Sequence, residues 1–268
     1  MNPAHAVICR DRFKEQVVIV TGAAQGIGRA CALRLAQEGA RLILVDQAKA
    51  PAEAVQAEVQ ALGAEATVLA LNMALAESAE QMVATAMALY GRIDVSIHNV
   101  GGTIWAKPFW AYSPEEMTQE INRSLWPTLW SCRSVIPVMK AQRRGAIVNV
   151  GSVATRGVNR VPYSAAKGGV HAATVCMAME LGECGVRVNC VAPGAIDNGV
   201  RQTPRNAAPL SDLERGWMDE IYEQSLRDSP MNRLGTMDEV AAAICFMAAP
   251  EASFITGQVW YVAGGGIG

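Results

Sequence analysis

No stretch of this sequence offers the roughly 18 uninterrupted apolar residues that a membrane-spanning helix needs, and residues 1–12 are polar where a secretion signal has its apolar segment. A soluble, cytoplasmic protein without a membrane partner is expected. Charge of one sign is also lacking: 23 Lys and Arg stand against 25 Asp and Glu, the formal net charge is −2, and the pI is near 6.0. Both signs are scattered along the chain, so no polyanion-binding surface forms and nucleic acid is excluded as a partner. The seven cysteines (Cys9, Cys31, Cys132, Cys176, Cys184, Cys190, Cys245) are odd in number, have no CxxC spacing and lie mostly in apolar patterns. They are expected to be reduced core residues. His5, His98 and His171 have no ligand spacing, so no metal site is expected. Repeats and low-complexity linkers are absent too.

What the sequence does contain is an alternation of apolar β-branched runs with helical patterns. It predicts an α/β fold in which a parallel sheet is covered on both faces. At 268 residues the chain fits one domain. Residues 13–100 are expected to be mainly dinucleotide-binding, 101–194 catalytic, and 195–235 a substrate lid, because a long irregular stretch inside a compact domain is usually functional. Ser113-Pro114-Glu115-Glu116 opens a helix expected to reach about Arg143, kinked or loosened at Pro127. Small residues on the helix that begins near Tyr163 would let another helix pack closely, which suggests a homo-oligomer, a dimer or tetramer.

The first strand, Val17-Val18-Ile19-Val20, runs into Thr21-Gly22-Ala23-Ala24-Gln25-Gly26-Ile27-Gly28. Glycines at a strand-to-helix turn let backbone N–H groups and the helix N-terminus approach a pyrophosphate, so Gly22, Gln25, Gly26, Ile27 and Gly28 are assigned to that contact. Asp46 ends the second strand, where a carboxylate accepts hydrogen bonds from the adenosine ribose and repels a 2′-phosphate. The expected cofactor is therefore NAD. After the fourth strand, Asn99-Val100-Gly101-Gly102-Thr103 permits close backbone approach to a ligand, and Trp105, Phe109 and Trp110 are placed to wall a pocket for a flat ring.

Tyr163 and Lys167 lie four residues apart, just over one helical turn, so they share a helix face. A phenol, with an ordinary pKa of about 10, is a poor base at neutral pH, but a fixed ammonium beside it stabilises the phenolate. Ser152, at the end of the run Ala146–Val150, offers a hydroxyl to the same bound oxygen.

Together these motifs resemble the short-chain dehydrogenase/reductase family along the whole chain. Thr21–Gly28 matches its glycine motif, His98-Asn99-Val100-Gly101 stands where the family usually has NNAG, Ser152 with Tyr163 and Lys167 matches its catalytic set, and Pro193-Gly194 matches its nicotinamide-side turn. The resemblance implies a doubly wound, seven-stranded, Rossmann-like sheet. It also implies cofactor contacts at Asn72, Asn99, Gly101, Tyr163, Lys167, Pro193, Gly194 and Ile196. Ser124 stands where the family has a catalytic Asn, Asn72 where it has an Asp against adenine, and Asn198 where a Thr commonly holds the carboxamide. Within the family, the stretches 99–109, 124–130 and 153–163 are similar to the cis-dihydrodiol dehydrogenases of benzoate and toluate degradation, with the p-cumate enzyme close behind.

That likeness implies NAD-dependent oxidation of an aromatic cis-dihydrodiol carboxylate to a catechol, with Tyr163 as base, Lys167 and Ser152 assisting, and Ser124 in place of the Asn. The substrate carboxylate needs a cation. Arg156 and Arg160 are the candidates nearest in sequence to the catalytic set, with Lys107, Arg201 and Arg205 as alternatives, and Trp105 is a candidate ring contact. Two rivals stand beside this reading: a general short-chain alcohol or 3-ketoacyl dehydrogenase, and a catalytically silent NAD-binding regulator.

Overall fold

The computed structural model describes residues 7–197, 199, 206 and 211–268. Its frame is a seven-stranded, wholly parallel sheet: β1 (Val17–Thr21), β2 (Arg41–Asp46), β3 (Ala66–Ala70), β4 (Val95–His98), β5 (Gly145–Val150), β6 (Val186–Pro193) and β7 (Val259–Val262), in the order β3-β2-β1-β4-β5-β6-β7. The strands are near-continuous apolar runs because both faces are covered. Successive residues point to opposite faces. Val18, Val20, Leu42, Leu44 and Val148 pack with α1 (Gly26–Gln37), α2 (Lys49–Ala61) and α8 (Met237–Ala248). Ile19, Ile43, Val45 and Ile147 pack with α3 (Ala76–Tyr90), α5 (Trp126–Gln142) and α6 (Val161–Leu181). This is the doubly wound single domain expected from the alternation.

β1 pairs with β2 on one side and β4 on the other, so the chain reverses its direction of travel across the sheet between β3 and β4. A crevice opens there, beyond the carboxyl ends of the strands. Thr21 and Asn99 fasten its two lips: the Asn99 N–H donates to Thr21 Oγ1 at 3.1 Å, and Asn99 Nδ2 donates to the Gly22 carbonyl at 3.2 Å.

The single helix expected over 113–143 is two helices, α4 (Pro114–Ser124) and α5, divided at Leu125. A continuous helix would need a Pro127 N–H to bond the Arg123 carbonyl, and proline has none. Ser113 and Glu116 cap the start of α4 reciprocally, as their order in the sequence suggests. α7 (Asp212–Arg227) lies inside the stretch 195–235, irregular in its sequence pattern. Cys31, Cys132, Cys190 and Cys245 are buried, but Cys176 is exposed and Cys9 and Cys184 are half-buried, so the core expectation fails for those three. Among the described residues no helix is long and apolar enough to cross a membrane.

A polar cluster is sealed between the sheet and α5 and α6. His98 Nδ1 bonds Asn149 Oδ1 at 2.9 Å, His98 Nε2 meets Ser96 Oγ at 2.8 Å, and Asn149 Nδ2 donates to Thr174 Oγ1 at 2.9 Å. Asn149 Oδ1 can only accept, so Nδ1 carries the proton and Nε2 accepts from Ser96. The imidazole is neutral, and burial pushes its pKa down to about 4 from the ordinary 6.5, against a smaller opposing effect of the Asn149 bond. An unfolded chain takes up that proton near pH 6.5. The stability His98 contributes is therefore complete above that pH and is lost as pH falls toward 4. Urea unfolding near pH 7 and near pH 4.5 should show a loss attributable to this group of about 2 kcal/mol. The loss should be clearly smaller in His98→Asn.

Candidate active site

The crevice at the sheet's reversal point is a cleft of about 390 Å³ lined by Gly22, Gln25, Gly26, Ile27, Asp46, Asn72, Asn99 and Gly101 among others, so most of the expected dinucleotide residues line one space. The turn from β1 to α1 is shaped by its glycines. Gly26 has φ +60° and nothing within 4 Å of where a Cβ would stand, which leaves a bare cradle. A Cβ on Gly28 would lie 2.0 Å from the Gly22 carbonyl oxygen, so the helix start packs directly on the turn. At the far end, the Asp46 carboxylate accepts from the Ala24 N–H at 3.1 Å and the Ala48 N–H at 3.0 Å, one on each oxygen. It is held in place with lone pairs to spare. Asn72 Oδ1 accepts from the Ala74 N–H at 3.1 Å, which turns the β3 end into the cleft wall.

At the other end lies the face of α6. Tyr163 and Lys167 are both buried, with Lys167 only 2% exposed. The ammonium donates to the Val150 carbonyl at 2.6 Å, and a Cβ on Gly101 would stand 3.1 Å from it. Lys167 thus reaches across the end of β5 to the cleft. Ser152 starts the turn 153–156, its Oγ accepting from the Ala154 N–H at 3.0 Å. The Ser124 side chain is buried and accepts from the Gly102 N–H at 3.2 Å. Gly194 follows β6 and donates to the Val262 carbonyl at 3.0 Å, while Pro193 is the strand's last residue and Ile196 bridges to Gly235.

The sequence compares with known proteins in the same sense. A family model described as enoyl-(acyl carrier protein) reductase matches residues 22–266. The 1,6-dihydroxycyclohexa-2,4-diene-1-carboxylate dehydrogenase of Acinetobacter baylyi is 52% identical over 95% of this chain and 97% of its own length. The 2,3-dihydroxy-2,3-dihydro-p-cumate dehydrogenase of Pseudomonas putida is 35% identical, over 93% of each chain. A solved short-chain dehydrogenase/reductase structure from Burkholderia xenovorans superposes with a TM-score of 0.82 at 32% identity, covering 95% of this chain and 97% of that one. The chain belongs to the short-chain dehydrogenase/reductase family. Members of this family use a nicotinamide cofactor, and the glycine cradle and the anchored Asp46 fit one.

Beside the dehydrogenase's Tyr163 a second, smaller recess of about 30 Å³ is lined by Val153, Arg156, Gly157, Arg160, Gly194 and Gln224, among others. The two arginines differ. Arg156 is exposed, whereas Arg160 is half-buried and its Nε is sealed from solvent with no hydrogen-bond partner. Burial holds the Arg160 guanidinium below its ordinary pKa, against the pull of Tyr163 and Tyr112, the two phenols nearest to it in charge terms. Burial likewise pushes the Tyr112 phenol up. Lys107, an alternative cation from the sequence, is paired with Glu116 at 2.6 Å. Arg201, Arg205 and Asn198 lie outside the described residues.

Several supporting residues carry no sequence signal. Glu120 is fully buried, and its Oε1 accepts from the Ile104 and Trp105 N–H groups at 2.8 and 3.0 Å, which fixes the loop that presents Trp105. Trp105 is half-buried, but Trp110 is 87% exposed and Phe109 is exposed as well, so of the three aromatic residues only Trp105 is enclosed. A Cβ on Gly157 would lie 2.5 Å from Arg160 Nε, so that glycine makes room for the guanidinium. Within residues 195–235, α7 clasps the loop before Tyr163: Gln224 Nε2 donates to the Arg156 carbonyl at 2.9 Å and its Oε1 accepts from the Val158 N–H at 3.0 Å.

Gly101→Ala tests the junction between cleft and ammonium, because the added methyl meets Lys167 at a backbone φ of +147° that side chains rarely adopt. Its kcat with the best diol substrate should fall at least about ten-fold, consistent with a site displaced by a fraction of an ångström, and the backbone strain should lower the melting temperature by several degrees.

Proposed function

We propose that this dehydrogenase oxidises the cis-dihydrodiol of an aromatic carboxylate, of the benzoate or toluate type, to a catechol with NAD. The observation that carries the carboxylate is Arg160: a desolvated guanidinium with an unpaired donor, in the recess beside the Tyr163 phenol. A buried donor without a partner is unfavourable by about 1–3 kcal/mol, and a bound carboxylate removes that penalty with a charge-assisted bond. A neutral aliphatic alcohol would not. The identity to the 1,6-dihydroxycyclohexa-2,4-diene-1-carboxylate enzyme, 52% against 35% for the p-cumate enzyme, supports the same class.

NAD is favoured over its 2′-phosphate by Asp46, whose carboxylate is fixed by two backbone donors at the ribose end of the cleft. Gly22, Gly26 and Gly28 would hold the pyrophosphate, and Lys167 and Gly194 border the nicotinamide end. When bound, the nicotinamide ring takes up the hydride. Tyr163 accepts the proton of the ring hydroxyl being oxidised, with the Lys167 ammonium one helical turn away on the same helix face. Ser152 donates a hydrogen bond to the same oxygen. Ser124, tied to the Gly102 N–H, steadies the loop opposite. The carbinol carbon loses hydride and becomes a ketone. Where the neighbouring carbon carries the carboxylate, the product is a β-keto acid that releases carbon dioxide and aromatises. A ring with its carboxylate elsewhere tautomerises to a catechol and keeps it.

Steady-state NADH formation from the benzoate, toluate and p-cumate dihydrodiols, a carboxylate-free cis-diol and simple secondary alcohols decides the class. The ipso-carboxylated diols should have the highest kcat/KM, and comparable values for simple alcohols would reject the reading. In Arg160→Met, the KM for a carboxylated diol should rise at least about ten-fold, the equivalent of a lost charge-assisted bond, with little change for the neutral diol. Equal effects on both would remove Arg160 from the carboxylate.

A further inference from the structure

The dinucleotide cleft contains a cation that neither the glycine motif nor the acid at the end of β2 accounts for. Arg123, on the last turn of α4, lines the same cleft as Asp46, Asn72 and Met73. Its side chain is half-buried and its Nε is sealed from solvent without a hydrogen-bond partner. Glu120 and Asp46 draw on its charge, but among the described residues it forms no ion pair and no hydrogen bond. Desolvation dominates and holds the guanidinium below its ordinary pKa. A cation taken from water without a partner is a cost the fold carries until something else occupies the space in front of it.

The surroundings narrow what that occupant is. Asp46 already places a fixed negative charge across the same space, so a further phosphate there would be repelled. Leu71, Met73 and Ala74 add apolar lining to the same cleft, with Asn72 turned onto its own backbone. Apolar lining and a planar cation in one cleft suit a flat, electron-rich ring, and guanidinium groups stack on such rings better than ammonium groups do. We propose that Arg123 is the adenine-gripping residue of this cleft, its guanidinium plane closing over the purine base of the dinucleotide. This inference rests on the dinucleotide reading of the cleft and adds to it a determinant of affinity remote from the chemistry.

The test is equilibrium binding to the full chain, without turnover. NADH is titrated by its fluorescence, and AMP, nicotinamide mononucleotide and NADPH are measured by displacement. Saturable NADH binding by the unaltered protein establishes the cleft itself. Without it the dinucleotide reading fails, whatever Arg123 does. Given that binding, Arg123→Met should weaken NADH and AMP about ten-fold, equivalent to 1.4 kcal/mol, and leave nicotinamide mononucleotide within two-fold. Arg123→Lys, which keeps the charge and loses the plane, should recover little of the loss and serves as the measurement if the Met variant does not fold. The proposal is overturned if AMP affinity is unchanged in either variant, or if Lys restores it fully. It is also overturned if NADPH loses far more than NADH, which would assign the guanidinium to a 2′-phosphate.

Discussion

A buried ammonium has to be paired, and the pairing of Lys167 sets the position of much that surrounds the carboxyl end of β5. At 2% exposure its charge is tolerable only with a strong acceptor close by, and the Val150 carbonyl at the end of β5 provides one at 2.6 Å. That bond pins α6 to the carboxyl edge of the sheet. One turn later His171 makes a second fastening, its Nε2 accepting from the Ser152 N–H at 3.4 Å. Gly151 must be glycine for this to occur, because a Cβ there would sit 2.4 Å from the imidazole. Tyr163, Lys167 and His171 are spaced by four, so one helix face carries the phenol, the ammonium and the anchor of the neighbouring serine loop.

The same logic separates the cations that hold the fold from those free to meet ligands. Lys107 is committed to Glu116, and Arg187 caps the end of α8 through the carbonyls of Met247, Ala248 and Ala249. Arg160 and Arg123 are different, since each keeps a buried Nε with no partner, one in the recess beside Tyr163 and one in the cleft beside Asp46. Glu120 lies on α4 one turn before Ser124, spending its carboxylate on the Trp105 loop, while Ser124 spends its hydroxyl on Gly102. α4 is therefore the element through which the cleft beside Asp46 and the Trp105 loop share a support.

Much of this was legible in the chain. The β-branched runs marked the strands because both sheet faces are covered, and the glycine turn, Asp46 and the Tyr163–Lys167 spacing depend on local geometry that sequence records directly. What was not legible depends on tertiary placement. Pro127 promised a distortion, but only the fold shows it dividing α4 from α5 at Leu125. Glu120 reads as a solvated helix charge beside Glu115 and Glu116, and nothing local says it is buried under a loop. Arg156 and Arg160 are indistinguishable on the page, four residues apart. Gly157 and the packing of α7 leave one exposed and enclose the other. Cys176 sits in an apolar pattern yet faces outward.

The central claim is that the Tyr163 phenol, beside the pinned ammonium, receives the proton when the diol is oxidised. Replacing Tyr163 with Phe removes one oxygen and leaves the ring. In that variant, turnover of the carboxylated diol should fall by about two to four orders of magnitude, the usual weight of a general base, while NADH affinity stays within about two-fold. A Tyr163→Phe enzyme that turns over at the unaltered rate would contradict the account.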